Sequence, residues 1–211
     1  FGNDEEATNN VNITSRITYL AINEGEKLLH LGVSNSIRKN SNKTYKLSAR
    51  AENHLGTKLI DASFENIDKS NLLGGELAYV NGSLSLQGEY LQTTLIGVTE
   101  TKLSSYYSQI SYFLTGESRS YKSSLDGFGR VIPNSNYGKG GKGAIELVAR
   151  ISQICLQKAD MGQLNDITVG LNWYLNPNTR IMINYVMGER TNISSEVITE
   201  NAVMMRVQLD F

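Results

Sequence analysis

The sequence predicts an all-β protein, and more specifically an antiparallel transmembrane β-barrel, from three observations. Every predicted strand alternates apolar and polar residues, so each has one apolar face and one mostly polar face. Short turns alternate with longer polar loops, which is the connection pattern of transmembrane barrels. The last strand, 202–211, is long enough to cross a membrane and ends on the aromatic Phe211. For that strand alone, the last strand of a soluble β-sandwich is the alternative.

The first four predicted strands occupy the first third of the chain. In the strand at 11–19, Val, Ile and Tyr alternate with Asn, Thr and Arg, and a turn around Gly25 follows. The second strand, 29–34, alternates Leu and Val with His, Gly and Ser. The third, 45–52, alternates Tyr, Leu and Ala with Lys, Ser, Arg and Glu, and the fourth, 58–67, has a weaker pattern.

The middle of the chain contains a predicted hairpin and a long connection. The strands 72–79 and 84–95 flank Asn81-Gly82, and this dipeptide between alternating runs is the strongest short signal for a hairpin. A strand rich in Tyr and Ser follows at 103–114. The Gly-rich stretch 116–143 interrupts the alternation and contains Pro133, so we expect a long connection there.

Four further strands complete a total of about eleven, and no segment has a convincing helical pattern. They lie at 144–156, 167–175, 180–187 and 202–211, and Pro177 marks a tight turn between the second and third of them.

The order of turns and loops predicts two different rims. The turns near Gly25, Asn81 and Asn178 fall on one rim, and the longer loops near Asn40, Asp68, Val98, Asp160 and Thr191 fall on the other. The exception is the long connection 116–143, which falls on the rim of the short turns. An odd strand count and a start within a loop would leave open edges, which hydrocarbon does not tolerate. We therefore expect residues 1–211 to be the C-terminal portion of a single larger barrel domain.

Composition argues against several other classes of protein. The formal net charge of −1 provides no general attraction for nucleic acid, and no run of apolar residues is long enough for a transmembrane helix. One cysteine, Cys155, excludes an intramolecular disulfide, and the two histidines, His30 and His54, make a histidine-rich metal site unexpected. We therefore expect no cofactor.

Two motifs that could indicate catalysis do not support it. His30 and Ser34 share a strand face, but a spacing of four residues separates them by about 13 Å, too far for an imidazole to activate a hydroxyl. The sequence G-K-G-G-K-G at 138–143 lacks the ending of a phosphate-binding loop and precedes a strand. We expect a protein that is not an enzyme.

Several phrases resemble the phosphate-selective porin O/P family. They are L-H-L-G at 29–32, S-L-Q-G-E-Y at 85–90, L-T-G-E at 114–117, G-A-I-E-L-V-A-R at 143–150, and D-I-T-V-G-L-N-W-Y-L-N-P-N at 166–178. They follow the family's order and cover most of the chain. The resemblance implies a trimeric outer-membrane porin of about 16 strands, present here from about the sixth strand onward. It also implies uptake of anions or phosphate through a constriction formed largely by an infolded loop in the N-terminal half.

Five basic residues on polar faces are the candidates for lining a pore. They are Arg16, Lys46, Arg50, Arg150 and Arg206. They would form an electrostatic track for anions. The alternative is pairing with acidic residues of the same wall, namely Glu52, Glu76, Glu89, Glu146 and Asp210. We favour pairing, because the acids are at least as numerous and would cancel the field.

The apolar face predicts the contacts with the membrane. Leu171, Trp173, Val203, Val207 and Leu209 are expected to face lipid, and Asn172, Arg150 and Arg206 to face the lumen. Trp173 and Phe211 are candidates for the membrane interface. Phe211 is also a candidate for barrel assembly, since the resemblance implies that a C-terminal aromatic is read by the outer-membrane assembly machinery.

The predicted function is passive diffusion of small hydrophilic solutes, expected to be anions such as phosphate, across a bacterial outer membrane. The expected partners are outer-membrane lipid, small anions, two further copies in a homotrimer and the assembly machinery, with no nucleic acid. The alternative is a β protein without transport activity, either a barrel serving as anchor or adhesin or a soluble β-sandwich that binds a partner.

Overall fold

The computed structural model describes residues 12–122, 127–138, 140–159 and 161–210, and its largest element is an antiparallel sheet of nine strands. In chain order the strands are β1 (Asn12–Glu24), β2 (Lys27–Lys39), β3 (Thr44–Ala49), β4 (Ile60–Glu65), β5 (Ile67–Asn81), β6 (Leu84–Gly97), β7 (Glu100–Phe113), β8 (Tyr121–Lys122), β9 (Gly127–Phe128), β10 (Ala144–Cys155), β11 (Gln163–Asn176), β12 (Thr179–Thr191) and β13 (Val197–Leu209). A single 3-10 turn, Gln157–Ala159, is the helical element of the described residues.

The nine-stranded sheet follows the order β1-β2-β5-β6-β7-β10-β11-β12-β13, and we call it the wall. All eleven predicted strands are confirmed as strands, but nine of them build the wall. The predicted strands at 45–52 and 58–67 correspond to β3 and β4, which pair with each other as a separate hairpin. The predicted connection 116–143 contains the short pair β8–β9.

The register of the strands produces two contrasting faces. In the pairing of β10 with β11, Leu147 lies opposite Leu171, and Glu146 lies opposite Asn172 on the other face. Leu171 is 38% exposed although it is mid-strand, whereas Glu146 is fully buried. The same arrangement continues across the wall, whose exposed apolar face includes Ile17, Val33, Leu77, Ile110, Leu147, Val169, Ile183 and Val203.

Two connections fold onto the polar face and cover its two ends. We call residues 40–66 the inner hairpin, since they include β3 and β4, and the described parts of 114–143 the inner strap. The inner hairpin packs Ile60 and Ala62 against wall residues Leu95, Leu103 and Leu164. The inner strap packs Val131 against Phe113, Ala144 and Tyr174. These two clusters place apolar packing at both ends of the polar face and leave its middle polar.

The two predicted rims are present. The turn rim holds the tight connections at 25–26, 82–83 and 177–178, where Gly25 and Gly82 have φ angles of 57° and 56°. Such positive φ values explain glycine in these two hairpin turns. The loop rim holds 40–66, 156–162 and 192–196. The connection at Val98 is shorter than predicted, because β6 continues to Gly97 and β7 begins at Glu100. The loop predicted near Asp68 is wrong, because Asp68 lies within β5 and only Asn66 separates β4 from β5.

Among the described residues, no helix is long and apolar enough to cross a membrane.

Candidate functional site: the polar face of the wall

A four-residue network connects the inner strap to the first strands of the wall. Glu76 of β5 accepts a hydrogen bond from Arg16 of β1 and contacts His30 Nε2 of β2 at 2.8 Å. The other ring nitrogen of His30 lies 2.9 Å from the hydroxyl of Tyr121 in the strap. Gly32 provides the space for Glu76, whose side chain lies where a Cβ at position 32 would stand. The strap therefore reaches as far as β2.

The same strap is attached at its other side to β10. Arg119 donates to Glu146 Oε1 from Nε at 3.2 Å and from a terminal nitrogen at 2.5 Å. The second carboxylate oxygen of Glu146 accepts from Asn172 and from the hydroxyl of Tyr174, each at 2.9 Å. Because Glu146 is fully buried, these four bonds replace the water that its charge would otherwise require.

The inner hairpin is held by a second acidic anchor, Glu52. Its carboxylate accepts from Arg150 Nε at 2.5 Å and from the hydroxyls of Ser152 at 2.9 Å and Thr168 at 2.8 Å. The guanidinium of Arg150 also lies over the ring of Tyr107, 3.7 Å from its centroid, which is a favourable cation–π distance. Glu52 therefore neutralises Arg150 and orders the polar side chains around it.

A third set of contacts extends the inner hairpin across to β13. Asn53 and Thr57 donate to the two carboxylate oxygens of Glu200 at 3.0 and 3.1 Å. Within the hairpin, Arg50 donates to the backbone carbonyl of Gly56 at 2.9 Å. Hydrogen bonds from Ser63 and Thr44 hold the pKa of Glu65 below its usual value. The hairpin thus crosses part of the polar face from β10 and β11 to β13.

A polar cavity of about 330 Å³ opens at the turn rim between the strap and the ends of β11, β12 and β13. It is lined by three arginines, Arg119, Arg130 and Arg180, and by one acid, Asp210. Arg130 donates to the side-chain oxygen of Asn178 at 2.6 Å, and Arg180 to that of Gln208 at 2.7 Å. These amide partners are neutral, so they orient the two guanidinium groups without cancelling their charge.

The structure places the five candidate pore-lining residues in three different environments. Arg16 and Arg150 lie on the polar face of the wall, each in a salt bridge with a glutamate. Lys46 and Arg50 are exposed on the inner hairpin, because β3 pairs with β4 and does not join the wall. Arg206 is exposed on the polar face of β13, opposite Met182. Whether these five residues line a pore stays a prediction.

Of the two candidate interface residues, Trp173 lies within the described part of the chain. Trp173 is on that face near the turn rim, where its ring nitrogen donates to the carbonyl of Lys142 at 2.8 Å. Tyr137 packs edge-on against it with ring centroids 5.1 Å apart, so this part of the strap reaches the apolar face. Phe211 lies outside the described residues.

Sequence reasoning missed the arginines of the strap. Arg119 and Arg130 belong to the Gly-rich connection, where no alternation assigns a face, so neither was a candidate. The available signal was Arg180, which takes the polar position opposite Tyr174 next to a tight turn. The position of this arginine beside a predicted tight turn would have identified it as a candidate.

A continuous antiparallel wall with an apolar face, a polar face and connections folded onto the polar side is the architecture of transmembrane β-barrel proteins. The family model for phosphate-selective porin O and P matches residues 2–211, so this chain belongs to the porin O/P family. The chain is also similar to Porin O of Pseudomonas aeruginosa, with 31% identity over 137 residues. That alignment covers 58% of this chain and 30% of the relative.

Proposed function

We propose that this chain forms part of the wall of a water-filled channel in a bacterial outer membrane, through which small hydrophilic anions such as phosphate diffuse passively. The family and the similarity to Porin O support a porin. The observation that carries the preference for anions is the turn-rim cavity, where Arg130 and Arg180 are held by neutral amides. A fixed positive field in a narrow aqueous passage raises the local concentration of anions.

The salt bridges on the polar face support moderate selectivity. Glu76 and Glu52 neutralise Arg16 and Arg150, so the middle of the wall contributes little net field. Weak binding at Arg130 and Arg180, whose two charges exceed the single charge of Asp210 in the same cavity, allows an anion to enter and to leave again, as diffusion through a pore requires. We infer that the strap, through these arginines, determines ion preference more than the wall does.

Two parts of this proposal concern the whole protein. Among the described residues, β1 and β13 each pair with one neighbour, and an open sheet edge would leave unpaired backbone groups in hydrocarbon. We propose that further strands of the full-length protein close the barrel and that three copies assemble into a trimer. A trimer band that resists detergent without heating and a monomer band after heating would support the assembly.

The test is reversal-potential measurement on the full-length protein in planar bilayers under a salt gradient. The parent protein should be anion-selective, and the double variant Arg130→Gln, Arg180→Gln should lose several-fold of its anion-over-cation permeability ratio. Lys27→Gln is the matched control, since Lys27 is exposed at the same rim on β2 and does not line the cavity. Cation selectivity of the parent, or absence of conductance, would overturn the proposal and favour a barrel without transport activity.

A further inference from the structure

The outer face of the wall carries an unusual pair of lysines at the loop rim. Lys39, the last residue of β2, lies directly opposite Lys69 of β5, and both are exposed. Like charges directly opposite each other on neighbouring strands repel and destabilise a sheet. Lys102 of β7 is on the same outer face. It lies opposite Thr94 of β6, which lies opposite Asn71 of β5, so Lys102 is level with a position two residues nearer the middle of β5 than Lys69.

The acids near this pair are already engaged with other lysines. Glu100 contacts the Nζ of Lys102 at 3.2 Å, and Asp68 contacts the Nζ of Lys43 at 3.7 Å. Within the described part of the chain, no carboxylate forms a salt bridge with Lys39 or Lys69. Four lysines against two acids leave a local excess of two positive charges that an external anion could balance.

Below the lysines the outer face carries two amides, each paired across the strands with an exposed apolar residue, Ile37 or Leu73. Asn35 and Asn71 form a layer of amides, with the nitrogen of Asn35 donating to the oxygen of Asn71 at 2.8 Å. Farther from the rim is a groove of about 660 Å³, whose lining includes Gly75, Gly88 and the outward-facing Val33, Leu77 and Tyr90. Among the described residues, no atom lies within 4 Å of where a Cβ at Gly75 would stand, so the groove is open there.

The spacing of these features corresponds to the shape of a membrane lipid. Gly75 lies six positions after Lys69 in β5, which is roughly 20 Å along the strand. A charged group at the lysines and an acyl chain in the groove would therefore suit a single amphipathic molecule that passes over the amides between them. A free inorganic anion would contact the lysines but not the apolar groove.

We propose that this outer strip, made of Lys39, Lys69, Lys102 and the groove around Gly75, binds a membrane lipid whose headgroup carries a phosphate monoester. A phosphate monoester has close to two negative charges at neutral pH, which balances the local excess and relieves the repulsion between Lys39 and Lys69. Lysine binds phosphate as a point charge without strict geometry, which suits a headgroup at the surface of a bilayer. The inference rests on the function proposed above, since only the wall of a barrel in a membrane would present its apolar face to lipid.

The experiment is native mass spectrometry of the detergent-purified full-length protein with two probes that share their acyl chains. The probes are dioleoyl phosphatidic acid, which carries a phosphate monoester, and dioleoyl phosphatidylcholine, which has no net charge. The parent should bind phosphatidic acid at least tenfold more tightly. Lys39→Gln with Lys69→Gln should remove that preference, whereas Lys27→Gln, at the other end of β2, should keep it.

A second variant tests the groove separately from the charges. Gly75→Leu should weaken the binding of both lipids while leaving a residual preference for phosphatidic acid, and the mobility shift on heating reports whether the variant is folded. Equal binding of the two lipids by the parent, or an unchanged preference in the double lysine variant, would overturn the lipid site. Displacement of phosphatidic acid by equimolar inorganic phosphate would do the same and assign the lysines to free anions.

Conductance distinguishes this inference from the proposed function. Normal anion-selective conductance in a parent that shows no lipid preference would refute the lipid site alone. Lipid preference in a protein without conductance would refute the channel alone.

Discussion

Arg119 of the inner strap and the fully buried Glu146 of β10 form a salt bridge with a nitrogen–oxygen distance of 2.5 Å. The side chain of Arg119 is 19% exposed, so the pair lies between the strap and the wall and is shielded from water on most sides. A buried carboxylate needs a partner, and this arginine comes from a segment whose strands β8 and β9 pair with each other as a separate sheet. The pair therefore fixes the strap in the interior.

Arg119→Ala should release the strap from β10. Removing one partner of a buried ion pair leaves the other charge uncompensated, so we expect a loss of roughly 3 kcal/mol in the free energy of unfolding. A released strap should also widen the passage and raise single-channel conductance. Urea unfolding in detergent and bilayer recording measure the two effects. Arg206→Ala, at an exposed position on the same face, is the control and should change stability little.

Glu52→Gln should change ion preference with little change in packing. The substitution keeps the shape of the side chain but removes the charge that neutralises Arg150, so the wall gains net positive field. The anion-over-cation permeability ratio should therefore rise, as read from reversal potentials. Glu65→Gln on the same inner hairpin is the control, because Glu65 bonds to Ser63 and Thr44 and not to an arginine. An equal rise in both variants would contradict the assigned role of Glu52.

The sequence predicted the wall well because each wall strand contacts two different environments. In a strand such as β11, the alternation of Leu171 with Asn172 shows which face of the sheet each side chain occupies. The pairing register is then constrained, because a shift by one residue would move every apolar side chain to the polar face. The same alternation in β3 and β4 predicted strands correctly but not their partners. A hairpin packed against the polar face of the wall also has one buried face and one water-exposed face. Apolar and polar residues such as Leu47 and Lys46 therefore alternate along it as they do along a wall strand.

The candidate site could be predicted only in part, for a related physical reason. Glu76 and Glu52 were expected to pair with basic residues because opposite charges shared a face. The partners Arg119 and Tyr121 come from a connection whose path depends on long-range contacts. Alternation carries no information about such a path, since a loop's backbone direction is not periodic.

Tyr121→Phe should loosen the far end of the strap without unfolding the barrel. It removes the hydroxyl that lies 2.9 Å from His30 and leaves the ring, so the expected cost in stability is about 1 kcal/mol. Open-channel current noise should increase, since a strap held mainly through Arg119 can move more. The control is Tyr106→Phe, on the outer face, which should leave the noise unchanged. Unchanged noise in Tyr121→Phe would place the strap's tether elsewhere.

Neighbouring residues of β11 should react with different reagents if the apolar face meets lipid. In a Cys155→Ser background, which removes the chain's single cysteine, Leu171→Cys should react with a lipid-soluble maleimide and Asn172→Cys with a charged thiosulfonate. The reason is that the two side chains point to opposite faces, and a charged reagent cannot enter hydrocarbon. The measurement is the labelled fraction of full-length protein in membranes, determined by mass spectrometry. Unfolded protein, in which both positions should react with both reagents, provides the control for intrinsic reactivity. Equal reaction of both positions with the charged reagent in the folded protein would mean that both faces of the wall contact water, and the membrane assignment would then be wrong.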